Sequence, residues 1–138
     1  MPYKFEDLEV WQLSIEYADA IYAMAEKLPR SEEYNLKSQI IRAATSICLN
    51  IAEGSTGQTN PEQARFLGMA IRSLIETVAC QHLITRRNYF SDRTELRAIY
   101  LQSQTLARKL QAFRKSLSSG YKQTAESEGD YILEGKEI

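Results

Sequence analysis

The chain has 138 residues, of which 43% are hydrophobic and 25% charged, with a formal net charge of -1. That length and mix suit one globular domain able to bury a core without metal or disulfide support. No apolar run of about 18 residues occurs, which excludes a helical membrane span, and Met1-Pro2-Tyr3-Lys4-Phe5-Glu6-Asp7 lacks the basic-then-apolar order of a secretory signal, so a cytoplasmic protein is expected.

The charge is unevenly spread. Residues 1–59 hold five Lys/Arg against nine Asp/Glu, residues 60–117 ten against four, and residues 118–138 two against five. A basic segment flanked by acidic ones gives either a molecule with one face suited to anions or halves that neutralise each other within or between subunits.

A first helix is expected over about Asp7–Leu28. Leu8, Trp11, Ile15, Ala18, Tyr22 and Ala25 follow the 3–4 spacing of a bundle seam, and Pro29 ends it. The second runs over about Tyr34–Glu53 and stops at Gly54, a residue suited to a left-handed terminator. Leu36, Ile40, Ala43, Ala44, Ile47, Cys48, Ile51 and Ala52 cover about half its circumference, so it touches more than one neighbour, while Arg42, Ser46, Asn50 and Glu53 form a polar line opposite.

Residues 55–60 read as a loop, with Asn60 as the next cap, Pro61 at the first helical position and Gln63 completing a capping box. The third helix then extends to about Arg87, about 40 Å, with two apolar seams. One is Leu67, Ile71, Leu74 and Val78; the other is Phe66, Cys80 and Ile84, interrupted by Ser73. The second seam needs either another helix of the chain or another copy of the protein. A homo-oligomer interface at Phe66, Met69, Ser73, Cys80 and Ile84 is the expectation. Arg65, Arg72 and Glu76 border it as a polar rim would.

After a turn at Asn88-Tyr89-Phe90-Ser91, with Ser91 or Asp92 as cap, the fourth helix carries Leu96, Ile99, Ser103, Leu106, Leu110, Phe113 and Leu117 at strict 3–4 spacing. The pattern predicts an all-α, antiparallel, up-down-up-down four-helix bundle over residues 1–117. Residues 118–138 form an acidic tail, expected to be disordered, with Tyr131-Ile132-Leu133 as one apolar handle. The alternative for the tail is a peptide that docks on a groove or shields the basic face.

Catalytic chemistry is not indicated. The single histidine, His82, has Ala79 three residues before it rather than a metal-ligating glutamate, and reads as a packed or boundary side chain. No metal or other cofactor is implied. Cys48 and Cys80 sit in apolar helical pattern and read as buried reduced thiols. Glu53 and Glu76 lie beside arginines on helix faces, as structural ion pairs do. The expectation is a protein that is not an enzyme.

Binding chemistry is better represented. Arg97, Arg108 and Lys115 fall within about 20° of one another on helix 4, away from its seam, with Lys109 and Arg114 flanking, while Arg86, Arg87 and Arg93 cluster at the helix 3–4 turn. A long line of guanidinium and ammonium groups suits a phosphate backbone, RNA or DNA, as readily as it suits a solvated face.

Phe5-Glu6-Asp7-Leu8-Glu9-Val10-Trp11-Gln12, then Ser38-Gln39-Ile40-Ile41-Arg42-Ala43-Ala44-Thr45-Ser46-Ile47 with Asn50-Ile51-Ala52-Glu53-Gly54, then Arg65-Phe66-Leu67, Ala70 and Ser73-Leu74-Ile75-Glu76 form an ordered set of motifs. Over about residues 4–117 it resembles the four-helix-bundle proteins encoded in intervening sequences of bacterial 23S ribosomal RNA genes. The resemblance implies a ring-like homo-oligomer, expected to be a pentamer. It also implies kinship with the accessory variability determinant of diversity-generating retroelements, a basic pentamer that binds nucleic acid and a reverse transcriptase. It carries over no catalytic residues. Arg42, Asn50, Glu53 and Glu76 read as packing and helix-terminating positions as readily as a ligand site. The acidic tail departs from the family pattern and counts against free RNA binding. The leading expectation is a homo-oligomeric, non-enzymatic adaptor that contacts nucleic acid through helices 3 and 4; the alternative is a structural or protein-interaction oligomer.

Overall fold

The computed structural model describes residues 3–56 and 59–117, so the acidic tail lies outside the described residues. A single turn of 3₁₀ helix at Lys4–Asp7 precedes α1 (Glu9–Ala25), and another at Arg30–Glu32 precedes α2 (Leu36–Gly54). Two longer helices follow, α3 (Asn60–Arg86) and α4 (Thr94–Leu117). Each packs on the next in the chain, and α1 closes the ring against α4. This is the expected all-α four-helix bundle.

Polar contacts tie the helices together, and the two ion pairs of the α1–α4 boundary show its antiparallel register. Ser46 and Ser73 hydroxyls lie 2.9 Å apart between α2 and α3. Lys27 pairs with Glu95 at 2.9 Å at one end of the α1–α4 boundary, and Lys109 with Glu9 at 3.4 Å at the other. Across the diagonal, the buried Tyr17 hydroxyl of α1 meets Thr77 Oγ1 of α3 at 2.8 Å. Burial pushes that phenol well above its ordinary pKa, so it stays a neutral partner.

The seam of α1 is one residue earlier than the sequence suggested. Val10, Ser14, Tyr17, Ile21 and Met24 face the core together with Ala18 and Ala25, while Ile15 and Tyr22 are exposed on the flank. Both rows have 3–4 spacing, and apolarity alone favours the second. The first wins because its polar atoms find partners inside: the Ser14 hydroxyl donates to the Trp11 carbonyl at 2.7 Å and Tyr17 meets Thr77. Tyr22 instead pairs its hydroxyl with Thr45 at 3.2 Å on the outer edge of α2.

Helix ends also differ in detail. Tyr34 lies outside α2 and is exposed. Thr59, not Asn60, caps α3 by accepting the Glu62 N–H, and Gln63 is buried rather than part of a capping box. Gly54 does not adopt a left-handed conformation; it is the last residue of α2, where an added Cβ would stand 2.8 Å from Phe66 Cβ. The left-handed residue is Asn88, with φ of 60°, just beyond α3. Asp92 supplies the α4 cap, its carboxylate accepting from the Thr94 N–H at 2.9 Å and the Thr94 hydroxyl at 2.7 Å.

The second seam of α3 is closed from within the chain. Cys80 is 2% exposed and Ile84 0%, Ser73 bonds Ser46, and Phe66 is half-buried beside Gly54. Its occupant is α2, whose apolar arc spans two neighbours. The expected oligomer interface is thereby corrected: Cys80 and Ile84 are core residues, Phe66 and Ser73 serve the α2–α3 contact, and Met69 alone of the five remains substantially exposed.

Candidate nucleic-acid interface

The α3–α4 boundary orders the basic residues. The His82 and Tyr100 rings meet edge-on with centroids 6.2 Å apart, and the Arg114 guanidinium lies over Gly68, where an added Cβ would stand 3.5 Å from its Cζ. Both pairs fit one antiparallel register, each step up α3 matched by one step back along α4. In that register Arg86 is level with Leu96 and Arg97, and Arg72 is level with Leu110. Arg86 follows Gly68 by five whole turns, so it too projects toward α4.

Four arginines converge on this face: Arg72 and Arg86 from α3, Arg97 and Arg108 from α4, all exposed. Among the described residues none of the four is in an ion pair, those pairs drawing instead on Lys27, Lys37, Arg65 and Lys109. Lys115, half-buried, extends the α4 line to about 27 Å from Arg97. Leu101 lies on the same stripe between Arg97 and Arg108 and is 52% exposed; Ile75 of α3, at 45%, faces the same side.

The remaining predicted cations do other work. Lys109 turns toward α1 and pairs with Glu9. Arg93 donates to the Thr85 carbonyl at 3.4 Å and to Asn88 Oδ1, holding the α3–α4 turn together. Arg87 is exposed near Glu32, and Arg114 packs across Gly68. Arg72 was not among the predicted contact residues, although its spacing of two heptads from Arg86 marks one helix face.

A polar residue also lies buried on this flank. Gln111 of α4 is 7% exposed, and among the described residues neither its amide nitrogen nor its amide oxygen has a protein partner. An unpaired buried amide costs on the order of 1–3 kcal/mol, so this position gains from any group that reaches it.

Elsewhere the chemistry is structural. Glu32 is buried and accepts from the Tyr89 hydroxyl at 2.5 Å, from the Leu36 N–H at 3.3 Å and from the Asn35 amide at 3.0 Å. These bonds, Tyr89's foremost, hold its carboxyl below the usual range. Burial raises the thiols of Cys48 and Cys80, and both are free. Among the described residues no group of His, Cys, Asp and Glu is arranged to hold a metal ion, and no helix is long and apolar enough to cross a membrane. A cleft of about 590 Å³ at the end of the bundle joins the first and second motif stretches, between Tyr3, Phe5, Ala52 and Glu53.

The family model for the 23S rRNA-intervening sequence protein matches residues 6–112. A solved structure from Bacteroides thetaiotaomicron VPI-5482, described as a protein with unknown function from the S23 ribosomal protein family, is similar, with 27% identity and a TM-score of 0.65. That similarity covers 82% of this chain and 98% of the other. No curated protein matches the chain. The chain belongs to the 23S rRNA-intervening sequence protein family.

Proposed function

We propose that this member of the 23S rRNA-intervening sequence protein family is a non-enzymatic, homo-oligomeric adaptor that holds RNA or DNA against its α3–α4 face. The observation that carries the reading is the convergence of Arg72, Arg86, Arg97 and Arg108, exposed and outside ion pairs among the described residues. A rigid line of guanidinium groups neutralises successive phosphates and releases their counterions, which needs no particular base sequence. Exposed Leu101 and Ile75 between the cations offer flat apolar ground for an unstacked base or for a protein bound with the nucleic acid. As an accessory, the oligomer would present the strand to a polymerase, a reverse transcriptase among the candidates.

A second reading, a protein-interaction oligomer, draws on Met69, Ile75 and Leu83, which leave apolar area on the outer surface of α3. Salt separates the two. Titration of labelled single-stranded RNA and DNA at about 50 and 200 mM salt tests the adaptor, with light scattering on the same samples for subunit number. Contact with about six phosphates of a single strand weakens binding by about 300-fold over that range. Binding that is absent at the lower salt, or indifferent to salt, favours the protein-interaction oligomer.

A further inference from the structure

The cleft at the end of the bundle lies apart from the α3–α4 face. Its volume of about 590 Å³ suits a small organic molecule, and the first two motif stretches of the sequence supply its walls. Tyr3, Lys4 and Phe5 stand on one side, Glu53 and Ser55 at the end of α2 on the other.

The aromatic wall is held in place. The Tyr3 and Phe5 rings stack with centroids 6.3 Å apart and planes 28° from parallel, and Trp11 of α1 meets Phe5 edge-on at 4.6 Å. The Glu6 carboxylate accepts the Tyr3 N–H at 3.1 Å, and the Glu6 N–H donates to the Tyr3 carbonyl at 3.1 Å. Tyr3 is still 66% exposed, so much of its ring is open to a planar group. Stacking of that kind takes any base.

The opposite wall is rich in acceptors. The Ser55 hydroxyl donates to the Ala52 carbonyl at 2.8 Å, which leaves its oxygen to accept. α2 ends at Gly54, so its last carbonyls and the negative end of its dipole lie here. Glu53 adds an exposed carboxylate that is in no ion pair among the described residues. Lys4, across the cleft, is likewise exposed and in none. Glu53 repels a purely anionic molecule and Lys4 a purely cationic one. Both favour a flat molecule with hydrogen-bond donors along one edge and an anion at the other end.

We infer that the cleft binds a guanine nucleotide, its base lying on Tyr3, its N1–H and N2–H donating to the Glu53 carboxylate and its phosphate beside Lys4. An ionised carboxylate only accepts, and among the four RNA bases guanine alone presents two adjacent N–H donors on its pairing edge. Adenine and cytosine set a ring-nitrogen acceptor beside their amino group, and uracil flanks its single N–H with carbonyls. Each of those three turns a lone pair toward the carboxylate. The guanine belongs either to a free nucleotide or to an unstacked position of an RNA. The inference does not rest on the proposed role of the α3–α4 face.

Calorimetric titration of the full-length chain with the 5′-monophosphates of guanosine, adenosine, cytidine and uridine, each to about 1 mM, is the test. The guanosine nucleotide should bind, and the other three at least about tenfold more weakly, the discrimination that a good bidentate pair provides. Glu53→Gln should weaken guanosine monophosphate by about tenfold or more, and Lys4→Gln should weaken it while leaving guanosine itself unchanged. Both side chains are exposed, so circular dichroism should show unaltered helix content in each variant. Arg97→Gln/Arg108→Gln, altered on the other face, should bind the nucleotide as the unaltered protein does. Oligouridylate with and without a terminal guanine separates the two sources. A gain from that guanine that Glu53→Gln removes assigns the cleft to RNA; nucleotide binding without such a gain assigns it to the free nucleotide. Absence of both, equal affinity for the four nucleotides, or an affinity indifferent to Glu53→Gln overturns the inference.

Discussion

Ser46 Oγ and Ser73 Oγ lie 2.9 Å apart, and around that hydroxyl pair α2 closes the apolar row of α3 that a second copy of the protein would otherwise have to cover. The Asn50 amide, donating to the Ser46 carbonyl at 2.9 Å and to its hydroxyl at 3.1 Å, fixes the α2 side of the contact. The residues flanking the pair therefore govern folding before they can govern assembly.

Ile84 shows the difference. It is fully buried within the chain, so Ile84→Ala should cost about 2–5 kcal/mol of folding stability through lost burial and a residual cavity. Urea unfolding followed by circular dichroism at two protein concentrations checks this. A loss of that size at both concentrations agrees with a core position; a change only in subunit association would contradict it.

The two glycines of the long helices should respond oppositely to a methyl group. At Gly54 a Cβ would meet Phe66 Cβ at 2.8 Å, so Gly54→Ala forces α2 and α3 apart and should cost about 1–3 kcal/mol. At Gly68 the same methyl makes ordinary contact with the Arg114 guanidinium at 3.5 Å. Gly68→Ala should then be neutral or stabilise by up to about 1 kcal/mol through helix propensity. Thermal denaturation of the two variants side by side is the check.

Acid should unlock the segment that leads into α2. Glu32 has a lowered pKa in the folded chain, chiefly through the Tyr89 hydroxyl, so its ionised form binds the fold better than the protonated form does. The sign follows: the stabilisation is present above the ordinary carboxylate range and is lost as pH falls through the depressed folded value. Glu32→Gln should lower stability at neutral pH by about 1–3 kcal/mol, since Tyr89, Leu36 and Asn35 lose a charged acceptor. It should also flatten the acid limb of the stability–pH profile, and an unaltered limb would assign that limb to other carboxylates.

Thiol chemistry offers a check on burial. Cys48 and Cys80 are 7% and 2% exposed, and burial raises both pKa values, which disfavours the nucleophilic thiolate. Both should react slowly with a disulfide reagent in the native protein and rapidly in denaturant. Fast native labelling of either would contradict its placement.

Much of this fold is legible without coordinates. The strict 3–4 row of α4 from Leu96 to Leu110 points inward as its spacing requires, and the wide arc of α2 does pack on two neighbours. The errors have a common source: apolarity was read without the polar atoms that accompany it. On α1 the row with Ser14 and Tyr17 looks the poorer seam until Trp11 O and Thr77 receive their hydroxyls. On α3 Ser73 looks like a gap in a seam until Ser46 meets it. The exposed stripe of α4 is legible from its spacing, but which cations are engaged elsewhere is not: Arg93 is held at the α3–α4 turn by the Thr85 carbonyl, and Lys109, far along α4, pairs with Glu9 of α1. Arg72 was overlooked because its nearest sequence neighbours are a rim, whereas the register set by His82 and Tyr100 brings it beside α4.

The α3–α4 face is tested most directly by the salt dependence of RNA binding in the Arg97→Gln/Arg108→Gln chain, compared with the unaltered protein across about 50–200 mM salt. Each lost phosphate contact lowers the slope of log K against log salt by about 0.7 on a single strand, so the pair should lower it by about 1.4 and weaken binding at low salt. An unchanged slope and affinity, in a variant with unaltered helix content and subunit number, would place the nucleic acid elsewhere or nowhere on this protein.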